Sequence, residues 1–361
     1  MSSPIIPSPT QEKQLEAEPS VFAEEDQPQE VAGRSLSQIA WSRVRRDKPA
    51  MVALGFILFV TLIAVFAPVV TGLVGVSTAQ PDETQLPLLI SDQTGGLPKG
   101  WTTDCAKGFS GFRFSCSGIS LDHPFGVEPG TGRDLFAMLV FGSRISLVIA
   151  TFSTIFVVAI GLVLGTMAGY LGGWFDGVLG RIMDLLLSFP TLLMLLVLTP
   201  VFIERMANMG ALSLTGNTAR VVYMITFFAL FSWPYLARII RGQVISLRER
   251  EFVESARAMG ASSRRIIFKE LIPNLWAPIL VYSSLLLPSF IAFEAALSYL
   301  GVGVEPPSTT WGKMLGDSVS YFAVMPLYLF IPGVYLFLVV LAFNILGDAV
   351  RDALDPRAGR V

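Results

Sequence analysis

Six long apolar runs dominate the sequence, at approximately residues 51–72, 145–170, 182–203, 219–240, 276–298 and 326–347. Each is close to the ~20 residues that an α-helix needs to cross ~30 Å of hydrocarbon. A helix satisfies its own backbone hydrogen bonds, which lipid cannot do. A membrane β-barrel would instead alternate in polarity along strands of ~10 residues, and the runs show no such alternation. The expected fold is therefore an all-α membrane protein with six transmembrane helices. Charged residues make up only 15% of the chain, against roughly a quarter in soluble domains. The net charge of −2 gives no reason to expect a nucleic-acid partner.

An even number of crossings places both termini on one side, and Lys and Arg decide which. Arg34, Arg43, Arg45, Arg46 and Lys48 precede the first run. Arg238, Arg241, Arg248, Arg250, Arg257, Arg264, Arg265 and Lys269 lie at the connection between the fourth and fifth. Arg351, Arg357 and Arg360 follow the sixth. Both termini are thus expected to be cytoplasmic, in a multi-pass protein of the inner or plasma membrane.

The chain divides accordingly. Residues 1–34 are expected to form a disordered cytoplasmic tail, because the segment is rich in Pro, Glu, Gln and Ser and cannot bury a core. It lacks the basic start and early apolar stretch of a signal peptide. Residues 35–50 read as a basic amphipathic lead-in helix, lying on lipid phosphates or packed on the rest of the protein. Residues 51–72 are the first transmembrane helix and 73–143 an external loop. Residues 144–350 hold the other five spans, and 351–361 a cytoplasmic tail.

Cys105 and Cys116 fall together in the external loop, where oxidising conditions favour a disulfide. Two free thiols are the alternative. The spacing does not suggest zinc, and no histidine cluster accompanies it, so no metal is expected. His123, the single histidine, reads as structural.

Gly161, Gly165 and Gly169 recur every four residues and offer one smooth helix face for close packing. Pro190, Pro278 and Pro288 predict kinks or freed carbonyls. Glu294 is an ionisable group in the fifth run and so a functional candidate. It can contact a solute or gate the outer mouth, or it can snorkel or pair with an arginine of a partner chain. Trp311, beyond that run, reads as part of an outer lid or docking surface, or as an interfacial anchor.

The connection at 241–275 is long beside the short one near 171–181. Phe252, Ala256 and Met259 recur at helical spacing. Gly260 follows where a helix usually ends in a left-handed turn. Ser262 or Ser263 offers an N-cap for a second helix, with Ile266, Ile267 and Leu271 as its apolar side and Pro273 closing it. Two short helices joined at a glycine suit a docking knob for a soluble partner, or an interfacial helix on anionic lipid.

The stretch EFVESARAMGASSRRIIFKELIPN resembles the EAA loop of ABC importer permeases, with Glu254, Ala256, Gly260 and Pro273 in place. Ser255 and Glu270 depart mildly from the pattern. HPFGVEPGTGRDLFAMLVFGSRISL, GYLGGWFDGVLGRIMDLLLSFPTLL, EAALSYLGVGVEPPSTTWGKML and LGDAVRDALDPR resemble the dipeptide/oligopeptide/nickel branch and its C-type subunit. The resemblance covers about residues 35–357; the cysteine-bearing insertion near 76–120 is not part of it.

This resemblance implies a type I ABC importer permease fold and transport of peptides, or of nickel or another small solute. It implies a homologous second permease, two ATP-binding subunits and an external substrate-binding protein as partners. Coupling to the ATPase falls to Glu254, Ala256 and Gly260, with Ile272 and Pro273 fixing the return to the membrane. ATP and Mg are expected on the partner subunits, and no cofactor on this chain. None of its six lysines is followed by Ser or Thr as a Walker A site requires, so the chain reads as non-catalytic. A stand-alone secondary transporter would need several charges inside the spans, and only Asp184 and Glu294 qualify. A membrane enzyme would need a Ser/His or paired-Asp constellation, and none is visible.

Overall fold

The computed structural model describes residues 36–76, 86–106, 113–209 and 216–354. The expected tail at 1–34 lies outside the described residues, as do residues 355–361. Described residues 40–354 belong to one compact unit, and residues 36–39 fall outside it. A short helix, Leu36–Val44 (α1), begins outside that unit.

Helix Lys48–Val65 (α2) starts where the Asp47 carboxylate accepts from the Ala50 amide at 3.2 Å, with Pro49 in its first turn. It continues, after a break at Phe66, into Ala67–Val74 (α3). Helix Leu135–Leu171 (α4) is capped in the same way by Asp134, which accepts from Ala137 N–H at 2.8 Å. It therefore begins inside the expected external loop rather than at residue 144. Gly173–Ser188 (α5) and Thr191–Met209 (α6) follow. Then come Asn217–Leu247 (α7), Glu251–Ala258 (α8), Ser263–Tyr299 (α9), Trp311–Ser318 (α10) and Pro326–Leu354 (α11). The last of these carries helix past residue 350, so Arg351 belongs to it and not to a tail.

Among the described residues, α2, α4, α7, α9 and α11 are long and apolar enough to cross a membrane. The third apolar run is different. It is a bent pair, α5 and α6, meeting at 83°. The break falls at Phe189 and Pro190, where the residue before the proline takes the extended conformation that a following proline favours. Counting the pair as one crossing makes six. Pro278 and Pro288 lie within α9 without interrupting it.

The core is centred on α4, which runs parallel to α7. A Cβ added at Gly161 would lie 3.1 Å from Leu236, and at Gly165 only 2.6 Å from the Ala237 carbonyl oxygen. At Gly169 it would lie 2.8 Å from the Arg241 carbonyl oxygen and from Val244. The glycine face is thus the seat of α7: backbone meets backbone at Gly165 and Gly169, and Gly161 receives the Leu236 side chain.

At the end where α4 begins, Cys105 and Cys116 are joined by a disulfide. The segment before it carries a two-stranded hairpin, Ile90–Ser91 (β1) with Leu97–Pro98 (β2). Trp101 Nε1 donates to the Val324 carbonyl at 3.0 Å, tying the segment to the start of α11. Below it a polar cluster is buried. Glu128 accepts from Arg133 Nε at 2.6 Å, from the Tyr328 hydroxyl at 2.6 Å and from Thr131. His123 Nδ1 lies 2.8 Å from Asp134 Oδ2, which orients the capping carboxylate. Burial pushes the Asp134 carboxyl above the usual aspartate range, against the pull of the Ala137 amide and His123. This histidine holds a cap; the geometry is structural.

Candidate functional site

At the opposite end of the bundle, α8 packs against the beginning of α9. Val253 and Ala256 point inward, onto Ile266, Ile267, Leu271 and, from α7, Val244. The apolar stripe expected at Phe252, Ala256 and Met259 is therefore corrected: Met259 is 82% exposed and Phe252 also faces outward. The competing phase, Val253 with Ala256, is buried because only it reaches the α9 side chains.

The helix ends as expected at Gly260, whose φ is +78°. Its N–H donates to the Arg257 carbonyl at 2.9 Å, and Ala261 N–H to the Ala256 carbonyl at 3.0 Å. These are the two bonds of a Schellman ending. Nothing lies within 4 Å of a Cβ built at Gly260, so the position is open to the outside. Ser262, not Ser263, is the N-cap of α9, accepting from Arg265 N–H at 3.4 Å.

Pro273 does not close a separate helix. Helix α9 runs through it, with a wide π turn at Ile266–Leu271 and a 3₁₀ turn at Ile272–Leu275. Ile272 N–H donates to the Ile267 carbonyl, five residues back. The register change makes room for the ring. The Asn274 side-chain amide donates to the carbonyl of Glu270 at 2.6 Å. Ile272 is half-buried and Pro273 exposed.

Glu254 is exposed on the outer face of α8, beside Gly260. It does not pair with Arg257, whose guanidinium sits 5.1 Å over the Tyr170 ring at the end of α4. Arg248 donates to the Gly169 carbonyl at 3.1 Å. Arg241 grips Asp176 of α5 through two bonds of 2.5 and 2.6 Å, and Arg238 pairs with Asp184. Both ends of the knob are thereby fastened to the spans. The outer surface of α8 offers Phe252, Glu254, Met259 and Gly260, on a base that cannot swing freely. Ala256 is buried and belongs to the base.

Glu294 and Trp311 lie far from this knob and face inward. Glu294 is 0% exposed and accepts from Ser146 of α4 at 2.7 Å and from Ser298 at 2.6 Å. Trp311 is equally buried; its indole N–H donates to Ser143 at 3.2 Å and its ring meets Tyr335 edge-on. Within this chain both side chains are buried, and they join α9 and α10 to α4. The serines were not singled out in the sequence, because a hydroxyl at residue 146 gives no sign of a partner at residue 294. Glu294→Ala should lower unfolding free energy in detergent by about 3 kcal/mol, from a cavity and two orphaned hydroxyls. Glu294→Gln, which can still bond both serines, should retain most of it.

Residues 161–360 match the family profile of the binding-protein-dependent transport system inner membrane component. Residues 35–87 match the N-terminal transmembrane domain of oligopeptide transport permease C. The chain is 33% identical to a dipeptide transport system permease protein of Alkalihalophilus pseudofirmus, over 88% of this chain and 89% of the relative. It is 32% identical to an oligopeptide transport system permease protein of Haemophilus influenzae, over 91% of each. A glutathione transport system permease protein of Pectobacterium atrosepticum is 38% identical, over 66% of this chain and 74% of the relative. Among solved structures, an inward-facing MetNI methionine ABC transporter chain superposes with a TM-score of 0.44 at 20% identity. That match covers 60% of this chain and 97% of the other.

Proposed function

The chain belongs to the family of binding-protein-dependent transport system inner membrane components, and from that premise we propose that it is one of two homologous permeases of an ATP-driven importer of di- or oligopeptides. Two separate ATP-binding subunits carry ATP and Mg, and an external binding protein delivers the solute. The end bearing α8 faces the cytoplasm, in keeping with its arginines.

The observation that carries this reading is the clamped knob. A coupling element must receive force and pass it on. Helix α8 is held from beneath by Val253 and Ala256 and at its flanks by Arg248 and Arg257. Its free side presents an acid at Glu254 for charge-assisted bonds and an apolar contact at Met259. Gly260 lets a partner approach the chain closely at the turn, while Ile272 and Pro273 set the register of its return to the membrane. Ala256 supports the knob from within.

Crosslinking tests this directly. In the assembled complex, Met259→Cys should form a crosslink to an ATP-binding subunit, whereas Leu121→Cys, fully exposed at the disulfide end, should not. Dipeptide uptake in a strain lacking the chromosomal copy should depend on this chain. A Met259→Cys thiol reached only by reagents added outside intact cells would overturn both the orientation and the coupling role.

A further inference from the structure

An apolar groove runs along the exposed side between α2 and the antiparallel α11. It has a volume of about 500 Å³. Val52 and Phe56 form one wall, and Leu338, Leu341 and Ile345 the other. It exists because Ala53 and Ala342, both buried, face each other at its floor where larger side chains would fill it. One end is charged. Lys48 lines it there, and Arg45 and Arg46 are exposed on the preceding turn.

Lys48 is the first residue of α2. A cation at a helix N-terminus opposes the helix dipole, so helix stability does not account for it. Its stem can lie along the apolar wall while the ammonium reaches the water boundary. Trp41, 53% exposed one turn earlier on α1, adds an aromatic ring of the kind that sits at headgroup level. The groove is apolar along its length and cationic only at its mouth. That is the pattern of a phospholipid: an acyl chain beside the helices and a phosphate at the basic end.

We propose that this groove is a binding site for one anionic phospholipid, with its acyl chain over Ala53 and Ala342 and its phosphate at Lys48. Residues 48–56 span about 12 Å of helix, enough to follow the upper part of an acyl chain. The site is separate from α8 and does not depend on the coupling role.

The test is photolabelling of the purified full-length chain in nanodiscs with a photoreactive phosphatidylglycerol, mapped by peptide mass. Label is expected on the peptides holding residues 48–56 and 338–345. Lys48→Gln should reduce it about fivefold, the worth of one cation at a membrane surface, and Lys48→Arg should preserve it. Ala53→Phe should abolish label in the groove, with size-exclusion elution reporting whether the variant remains folded. A photoreactive phosphatidylcholine should label the same peptides weakly. Equal labelling by both lipids, unchanged by Lys48→Gln, would show ordinary annular lipid and overturn the proposal. So would protection of these peptides by residues 1–35, seen as label that enters only when those residues are deleted.

Discussion

Gly260→Trp should leave the chain inserted and folded but abolish uptake. Left-handed backbone at a non-glycine residue costs about 1–2 kcal/mol, and the φ of +78° imposes it. That cost is local to the end of α8. The indole has room within this chain, since nothing lies within 4 Å of the Cβ position. Under the proposed coupling role, it occupies the space a docked subunit would need. ATP hydrolysis by the complex should therefore lose its stimulation by the binding protein and solute, while expression and membrane insertion stay near normal. Gly260→Asn separates the two effects, because Asn tolerates the left-handed region and is much smaller; it should retain most uptake. If the Trp variant transports like the parent, nothing docks at this turn.

Gly165→Leu should act in the opposite way, by removing the folded protein rather than its coupling. The Cβ alone would sit 2.6 Å from the Ala237 carbonyl oxygen and 3.0 Å from Ile240. Both helices would have to separate along the α4–α7 seam. Gly165→Ala should cost about 1–3 kcal/mol as an overpacked site, and the leucine distinctly more, visible as loss of monodisperse protein in mild detergent. Gly55, with nothing within 4 Å of its Cβ position on α2, is the control: Gly55→Ala should be near neutral. A stable, monodisperse Gly165→Leu would mean that α7 does not rest on this face.

These two glycines also show what is readable in a chain of this kind. Gly260 and the Ser262 cap depend on a few neighbouring residues, so local rules find them. The glycine stripe at 161, 165 and 169 announces a close contact but not with whom, and α7 becomes the answer only in three dimensions. Ala256 belongs to two overlapping stripes, one through Phe252 and Met259 and one through Val253. The choice is made by Ile266, Ile267 and Leu271 across the turn, which no helical period contains. Pro273 looked like a terminator because the local rule ignores a π turn and an amide at Asn274. The alternatives for Glu294 stay open in the sequence because its hydroxyl partner at Ser146 is 148 positions away.

The unbroken course of α9 has a mechanical consequence. The piece gripped by α8 and the piece that reaches Glu294 are one rod, and Trp276–Tyr299 alone measures about 36 Å at 1.5 Å per residue. A tilt of roughly 3° at the base would carry the far tip about 2 Å, a displacement of the size by which packed helices shift past one another. Under the proposed coupling role, small strokes at one end of α9 are geared into ångström-scale travel at the other, and the π and 3₁₀ turns at 266–275 are the places where such a stroke can be absorbed.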